Sequence, residues 1–184
     1  MITNQESAAA PGAMNAIQLK IQLRHIRPPI WRRGVVPESA TLGDLHVVIQ
    51  IAMGWENGHM HCFRIGPHSL TSSAMAGPGD DLRMRNADRV RLAEIAAPRR
   101  NSVYEYDFGD GSEHEIIIEK MLPADPNAKY PRCLGGVRAC PPEDCGGYPG
   151  YADLRQALKT ECPTEEQRDL LAWLGDRYDP EFFD

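Results

Sequence analysis

No apolar run in this 184-residue chain approaches the ~20 residues needed to cross a bilayer, which argues against a membrane-spanning helix. The N-terminus has no basic stretch followed by an apolar core, so the expectation is a cytoplasmic chain rather than a secreted one. Established catalytic signatures are also missing. There is no Gly-x-Ser-x-Gly elbow, no P-loop, no Gly-x-Gly-x-x-Gly and no His-Glu-x-x-His. The five cysteines are an odd count and contain no Cys-x-x-Cys pair. A disulfide framework and an ordinary zinc knuckle are therefore both disfavoured.

What is present describes a globular domain. Hydrophobic residues make up 42% and charged residues 25%, ordinary values for a chain with a real core. Fifteen prolines and sixteen glycines imply many loops. The net charge of −6 is unevenly spread. Residues 143–184 hold eleven acids against four bases, a net of −7. Residues 15–33 hold five bases (Lys20, Arg24, Arg27, Arg32, Arg33) and no acid. Such a basic segment suits an acidic partner or nucleic acid, or simply a solvated face.

Residues 1–15 are small, polar and aperiodic, the pattern of a disordered tail, so the expected domain spans 16–184. Ile17, Leu19, Ile21 and Leu23 alternate with Gln18, Lys20, Gln22 and Arg24, which predicts a half-buried strand. Residues 30–36 read as its returning partner. Thr41 and Asp44 then fit a capping box, Leu42, Leu45, Ile49 and Ala52 recur at helical spacing, and Gly54 supplies a stop. A third strand is expected over 59–65, a mobile loop over 66–88, a short turn or helix over 90–96, and two strands over 102–108 and 113–121. Helices are expected near Tyr151–Leu158 and after Thr164, the latter with a second capping box at Gln167, and the aromatic end at 178–184 is expected to dock. The fold class is α+β: a mixed or antiparallel sheet covered by helices, with a ββα start like that of a β-grasp and a helical C-terminus.

Two stretches carry the candidate chemistry. Asp110-Gly111 favours a two-residue hairpin turn, which would set Asp107 opposite His114 and orient its imidazole. A one-residue slip, or a longer turn at Gly109-Asp110-Gly111, would separate them. With Glu143, the pair forms a candidate acid–base or metal-dependent catalytic group. The second stretch, 133–147, reads as a rigid loop holding Cys133, Cys140 and Cys145. Thiolates suit zinc, and His114 is the first choice of fourth ligand, followed by His61 or His59. The competing use of these cysteines is as small buried hydrophobes. Pro141-Pro142 stiffens the loop and gives Glu143 and Asp144 a defined direction. Nucleic-acid contact would fall to Lys20, Arg24, Arg32 and Arg33, with the arginines from Arg83 to Arg100.

Five motifs in order give the chain a resemblance. They are Pro28–Arg33, Thr41–His46 with Met53–Trp55, His59–Gly66, Tyr104–Asp110 and Cys140–Gly147. Together they resemble the plasmid pRiA4b ORF-3-like family over about 16–184. That resemblance implies a setting on plasmids and insertion elements, a "TnpR" label on some members, and no assigned reaction. The label suggests a resolvase, yet neither an arginine-rich serine site nor a basic helix-turn-helix is visible here. Where the family often has Trp after the turn glycine, this chain has Ser112, so an aromatic platform at the hairpin tip is not expected. The leading functional expectation is a cytoplasmic binding or accessory domain, with zinc as candidate cofactor and a protein partner. An enzyme and a nucleic-acid-binding protein are the alternatives.

Overall fold

A computed structural model describes residues 15–71, 84–95, 102–175 and 178–184. Its centre is an eight-stranded sheet whose members, in chain order, are β1 (Asn15–Leu23), β2 (Trp31–Pro37), β3 (His61–Ile65), β4 (His68–Thr71), β5 (Met84–Asn86), β6 (Ser102–Tyr106), β7 (Ser112–Pro123) and β8 (Arg132–Val137). Across the sheet they run β5-β4-β3-β6-β7-β1-β2-β8. All pairs are antiparallel except β4 with β5. The helices are α1 (Leu42–Met53), α2 (Leu92–Ile95), α3 (Gly147–Ala157) and α4 (Glu165–Leu174). The chain is thus α+β with a mixed sheet and a helical C-terminal part. The start is ββα as expected, and β6 and β7 lie between β3 and β1.

Period two sorts β1 as the sequence implies. Ile17, Leu19, Ile21 and Leu23 are buried, and they join Phe63, Tyr104 and Ile116 from the neighbouring strands in one core with Leu42, Leu45, Ile49 and Met53 of α1. Helix α1 begins and ends where its local chemistry dictates. Thr41 and Asp44 form the reciprocal capping box, and Gly54 closes the helix in the left-handed region at φ 80°. A second capping box, Thr164 with Gln167, starts α4. Helix α3 begins after Gly146, which offers no side-chain cap; instead Asp110 of the β6–β7 turn accepts the Gly146 N–H at 3.1 Å.

Two expectations change. Within the stretch read as a 66–88 loop, β4 and β5 form the sheet's edge, with Leu70 and Thr71 buried; residues 72–83 lie outside the described structure. Cys133 is not in a loop but on β8, where it pairs with Gly34. The expected tail lies almost wholly outside the described residues. The C-terminal end docks as expected: Tyr178 donates to the Cys140 carbonyl at 3.1 Å, and the Arg32 guanidinium lies 4.7 Å from the Phe183 ring centroid.

The core also contains a buried polar cluster. The rings of His46 and His61 stack at 3.6 Å, and the Tyr104 hydroxyl accepts from Gln50 at 2.9 Å and sits 2.8 Å from His46 Nδ1. His61 and His114 are 1% and 0% exposed. Burial pushes both imidazoles down to about 4, helped for His61 by the neighbouring His46.

Two predictions follow from this packing. A Cβ at Gly150 would lie 1.8 Å from the Cys145 carbonyl oxygen, whereas one at Gly58 meets nothing within 4 Å. Gly150→Ala should therefore cost about 1–3 kcal/mol in urea denaturation, and Gly58→Ala far less. The histidines set the second. Both bind protons more readily unfolded, so stability is full above the unfolded value near 6.5 and is lost as pH falls toward about 4. Urea midpoints should drop between roughly pH 6.5 and 5, above the range where carboxylates titrate, and the slope should be shallower in His114→Gln.

Candidate functional site

Three connections meet at one end of the sheet: the segment 54–60 after α1, the β6–β7 turn, and the Pro141–Gly146 loop. Their meeting is held by named bonds. Trp55 Nε1 donates to the Pro141 carbonyl at 2.9 Å, and its ring stacks on Tyr106 at 4.9 Å. The Glu143 carboxylate accepts from the Tyr106 hydroxyl at 2.6 Å and from the Glu56 backbone N–H at 3.0 Å. The same hydroxyl accepts the His59 backbone N–H at 3.2 Å. Burial, then the bond to Glu143, pushes the Tyr106 phenol up to about 12, so it remains a donor through the neutral range.

The turn explains the hairpin's actual register. Tyr104 faces His114, Glu105 faces Glu113 and Tyr106 faces Ser112, which leaves residues 107–111 as a five-residue loop. Asp107 adopts φ 57°, its Oδ1 accepts the Gly109 N–H at 2.9 Å, and its carbonyl accepts the Gly111 N–H at 2.7 Å. This local Asx bonding takes Asp107 out of the strand. The expected Asp107–His114 pairing is therefore replaced. His114 is enclosed between Trp55 and Tyr104, whose ring centroids lie 5.1 and 5.5 Å away, and it does not share an open site with Asp107 or Glu143.

Asp107 instead points its other oxygen toward His59. His59 Nδ1 lies 3.8 Å from Asp107 Oδ2, and His59 Nε2 lies 3.3 Å from Asp144 Oδ1. One donor atom from each of the three residues falls within 4.8 Å of the others, the one such three-ligand group among the described residues. Metal–ligand bonds of roughly 2.0–2.6 Å let donors up to about twice that apart share an ion. Asp144 sits at φ 59°, a left-handed conformation that Asp tolerates better than most residues. It also lines an open cavity of about 500 Å³ with Glu56, Glu143, Trp173 and Tyr178.

The proposed ligands Cys133, Cys140, Cys145 and His114 are not gathered in this way. Cys133 is exposed on edge strand β8, while Cys140 and Cys145 are buried in the hydrophobic core. Burial pushes the Cys140 thiol strongly up, and burial with the nearby Asp110 pushes Cys145 up to about 11. These two pack as small hydrophobes. His61 is stacked on His46 inside the core, whereas His59 reaches an acidic group at the surface.

The four basic residues named for nucleic acid also separate. Arg32 is buried and donates to the Ala52, Trp31 and Val137 carbonyls at 2.8, 3.0 and 3.2 Å, a structural role. Arg33 makes a forked pair with Glu119, and both it and Lys20 lie about 5 Å from the Trp31 ring centroid. Arg24 binds Glu113 at 2.6 Å on the rim of a separate pocket. Arg83, Arg99 and Arg100 lie outside the described residues. The sequence offers His59 only as a secondary metal ligand, and Asp144 only as part of a ligand-binding edge or helix cap. The available signal was the pair of Asp-rich turns, each following or preceding a stiff or glycine-rich stretch.

The fold and this end of the sheet define a single-sheet α+β protein with a His–Asp–Asp surface cluster. The chain belongs to the plasmid pRiA4b ORF-3-like protein family, whose model matches residues 15–184. It is similar to the uncharacterized protein y4hQ of Sinorhizobium fredii (strain NBRC 101917 / NGR234), with 35% identity over 165 residues covering 88% of this chain and 81% of the relative. It is also similar to a solved crystal structure, the protein of unknown function MM3350 from Methanosarcina mazei Go1. That match has a TM-score of 0.83 and 35% identity, and covers 94% of this chain and 96% of the other.

The Tyr106 hydroxyl links two of the three connections. Tyr106→Phe should lose about 1–3 kcal/mol in chemical denaturation, because Glu143 and the His59 N–H each forfeit a partner.

Proposed function

We propose that this protein is a binding domain whose recognition centre is a divalent cation held by His59, Asp107 and Asp144. One observation carries the reading: an imidazole nitrogen and two carboxylate oxygens converge within 4.8 Å at the surface. A single nitrogen with two hard oxygens suits zinc or manganese and does not favour a soft, thiolate-seeking ion. Three protein ligands leave coordination positions free for an oxygen-bearing ligand, which the open cavity beside Asp144 would admit. Asp107 is well placed to stay fixed, since its Oδ1 is already bonded to the turn backbone.

Binding is favoured over catalysis by the state of the neighbouring groups. Tyr106 and Glu143 satisfy each other at 2.6 Å, and His114 is enclosed in the core, so acid–base work by Asp107, His114 and Glu143 has no shared open site. A binding domain also agrees with the accessory role on mobile elements that the family resemblance implies. Zinc as a cofactor is retained, on a different ligand set from the cysteines.

Metal analysis and calorimetry with zinc and manganese on chelator-stripped protein provide the test. One ion per chain is expected in the wild type and in Cys140→Ser, and at least tenfold weaker binding in an Asp107→Asn, Asp144→Asn double variant. A wild type that takes up no stoichiometric ion, or a double variant that binds like the wild type, sinks the proposal.

A further inference from the structure

An open cavity lies beside the basic N-terminal segment. It measures about 730 Å³ and sits between the β1–β2 connection and one face of α3. The connection contributes Arg24, His25 and Arg27. The helix contributes Tyr148, Tyr151 and Arg155, which at spacings of three and four residues share one side of α3. Three arginines line the cavity and no acidic residue does, in a protein whose net charge is −6. Low-dielectric walls around charge of one sign concentrate counter-ions, so the electrostatics select an anion.

The donors are available and in part pre-positioned. Arg155 spends one N–H on the Arg27 carbonyl at 2.7 Å, and its guanidinium lies 5.9 Å from the Tyr151 ring centroid. That contact holds the side chain over the pocket wall while most of its five donors remain. Arg24 is partly neutralised by Glu113, which also receives His25 at 3.4 Å and pairs with Arg64. Glu113 lies outside the lining, and the exposed Arg27 side chain supplies a further cation.

An aromatic pair flanks these charges. The rings of His25 and Tyr148 lie 5.4 Å apart at 40°, and Tyr148 is 54% exposed although it is a large ring. His25 holds φ 64°, a conformation uncommon for a residue with a side chain. Arginines that fork onto phosphate beside open rings that stack on a base are the two parts of a nucleotide site. The volume lies within the range of small-molecule pockets.

We propose that this pocket binds the phosphate and base of a nucleotide, either free or as part of a single strand. The site is separate from the His59–Asp107–Asp144 centre and does not depend on it.

The test uses the intact chain with a chelator present, so that no cation at the other site contributes. Calorimetry with AMP and with inorganic phosphate, and fluorescence anisotropy with a labelled deoxythymidine oligonucleotide, are measured at low salt. Binding is expected to weaken roughly tenfold or more in Arg27→Glu. Tyr148→Ala should weaken AMP and the oligonucleotide while leaving inorganic phosphate unchanged. Arg132→Glu, on the exposed edge strand β8, should change none of them. Saturable AMP binding identifies a free nucleotide as sufficient; oligonucleotide binding alone, falling steeply with salt, identifies a strand. Melting curves check folding, and Arg27→Gln replaces the reversal if Arg27→Glu melts early. Absence of binding to both AMP and oligonucleotide, or unchanged binding in the Arg27 variant, overturns the proposal.

Discussion

The carboxylate of Glu143 receives the Tyr106 hydroxyl and the Glu56 backbone N–H, and so ties a strand, a post-helical segment and a proline-stiffened loop to one another. The post-helical segment and the proline-stiffened loop have no regular structure at that point, so their positions against β6 depend on this tie and on Trp55, which stacks on Tyr106 and donates to Pro141. Asp110 adds a fourth connection by capping α3 from the hairpin turn. The close approach of Gly147 to the Asp110 carbonyl, where a Cβ would come within 2.2 Å, shows how little room the arrangement leaves. A surface cluster built on three loops needs such bracing if its donors are to stay within bonding reach of one ion.

The interior beneath this end is unusually polar for a core. His46, His61, His114, Gln50 and Tyr104 occupy the layer between the sheet and α1. The Tyr104 phenol is held protonated by burial, so it can accept from Gln50 while its own proton serves another acceptor. The buried imidazoles are kept neutral, because charging them would require desolvating a cation. This makes the core sensitive to acid while leaving the surface cluster, with His59 partly exposed, a separate element.

Charge is arranged in the same divided way. The acidic cluster gathers at the loop end that Asp107, Glu143 and Asp144 share, and the arginine-lined pocket opens between the β1–β2 connection and α3. The net charge of the chain describes neither region. Basic residues adjacent in sequence, Arg32 and Arg33, face opposite sides of β2, so one becomes a buried brace for the end of α1 and the other a surface partner of Glu119.

Local chemistry was legible from the sequence where neighbours along the chain decide the outcome. Thr41 with Asp44, Thr164 with Gln167 and Gly54 each act within one helical turn, and the alternation of β1 needs only a period of two. The hairpin itself was legible, but its register was not. A two-residue Asp-Gly turn and a five-residue loop compete closely, and the left-handed Asp107 with its own side-chain bond decides between them. Cys133 on β8, His114 in the core, and Arg27 and Arg155 across one pocket are separated from their neighbours by many residues. By itself the sequence determined the ββα start, β3, the central hairpin, the C-terminal helices, the two capping boxes and the family, but not β4, β5 or β8. Only the tertiary structure decided which histidine meets which carboxylates and which arginines share a cavity, because those encounters depend on strand register and loop packing over distances that local propensity does not encode.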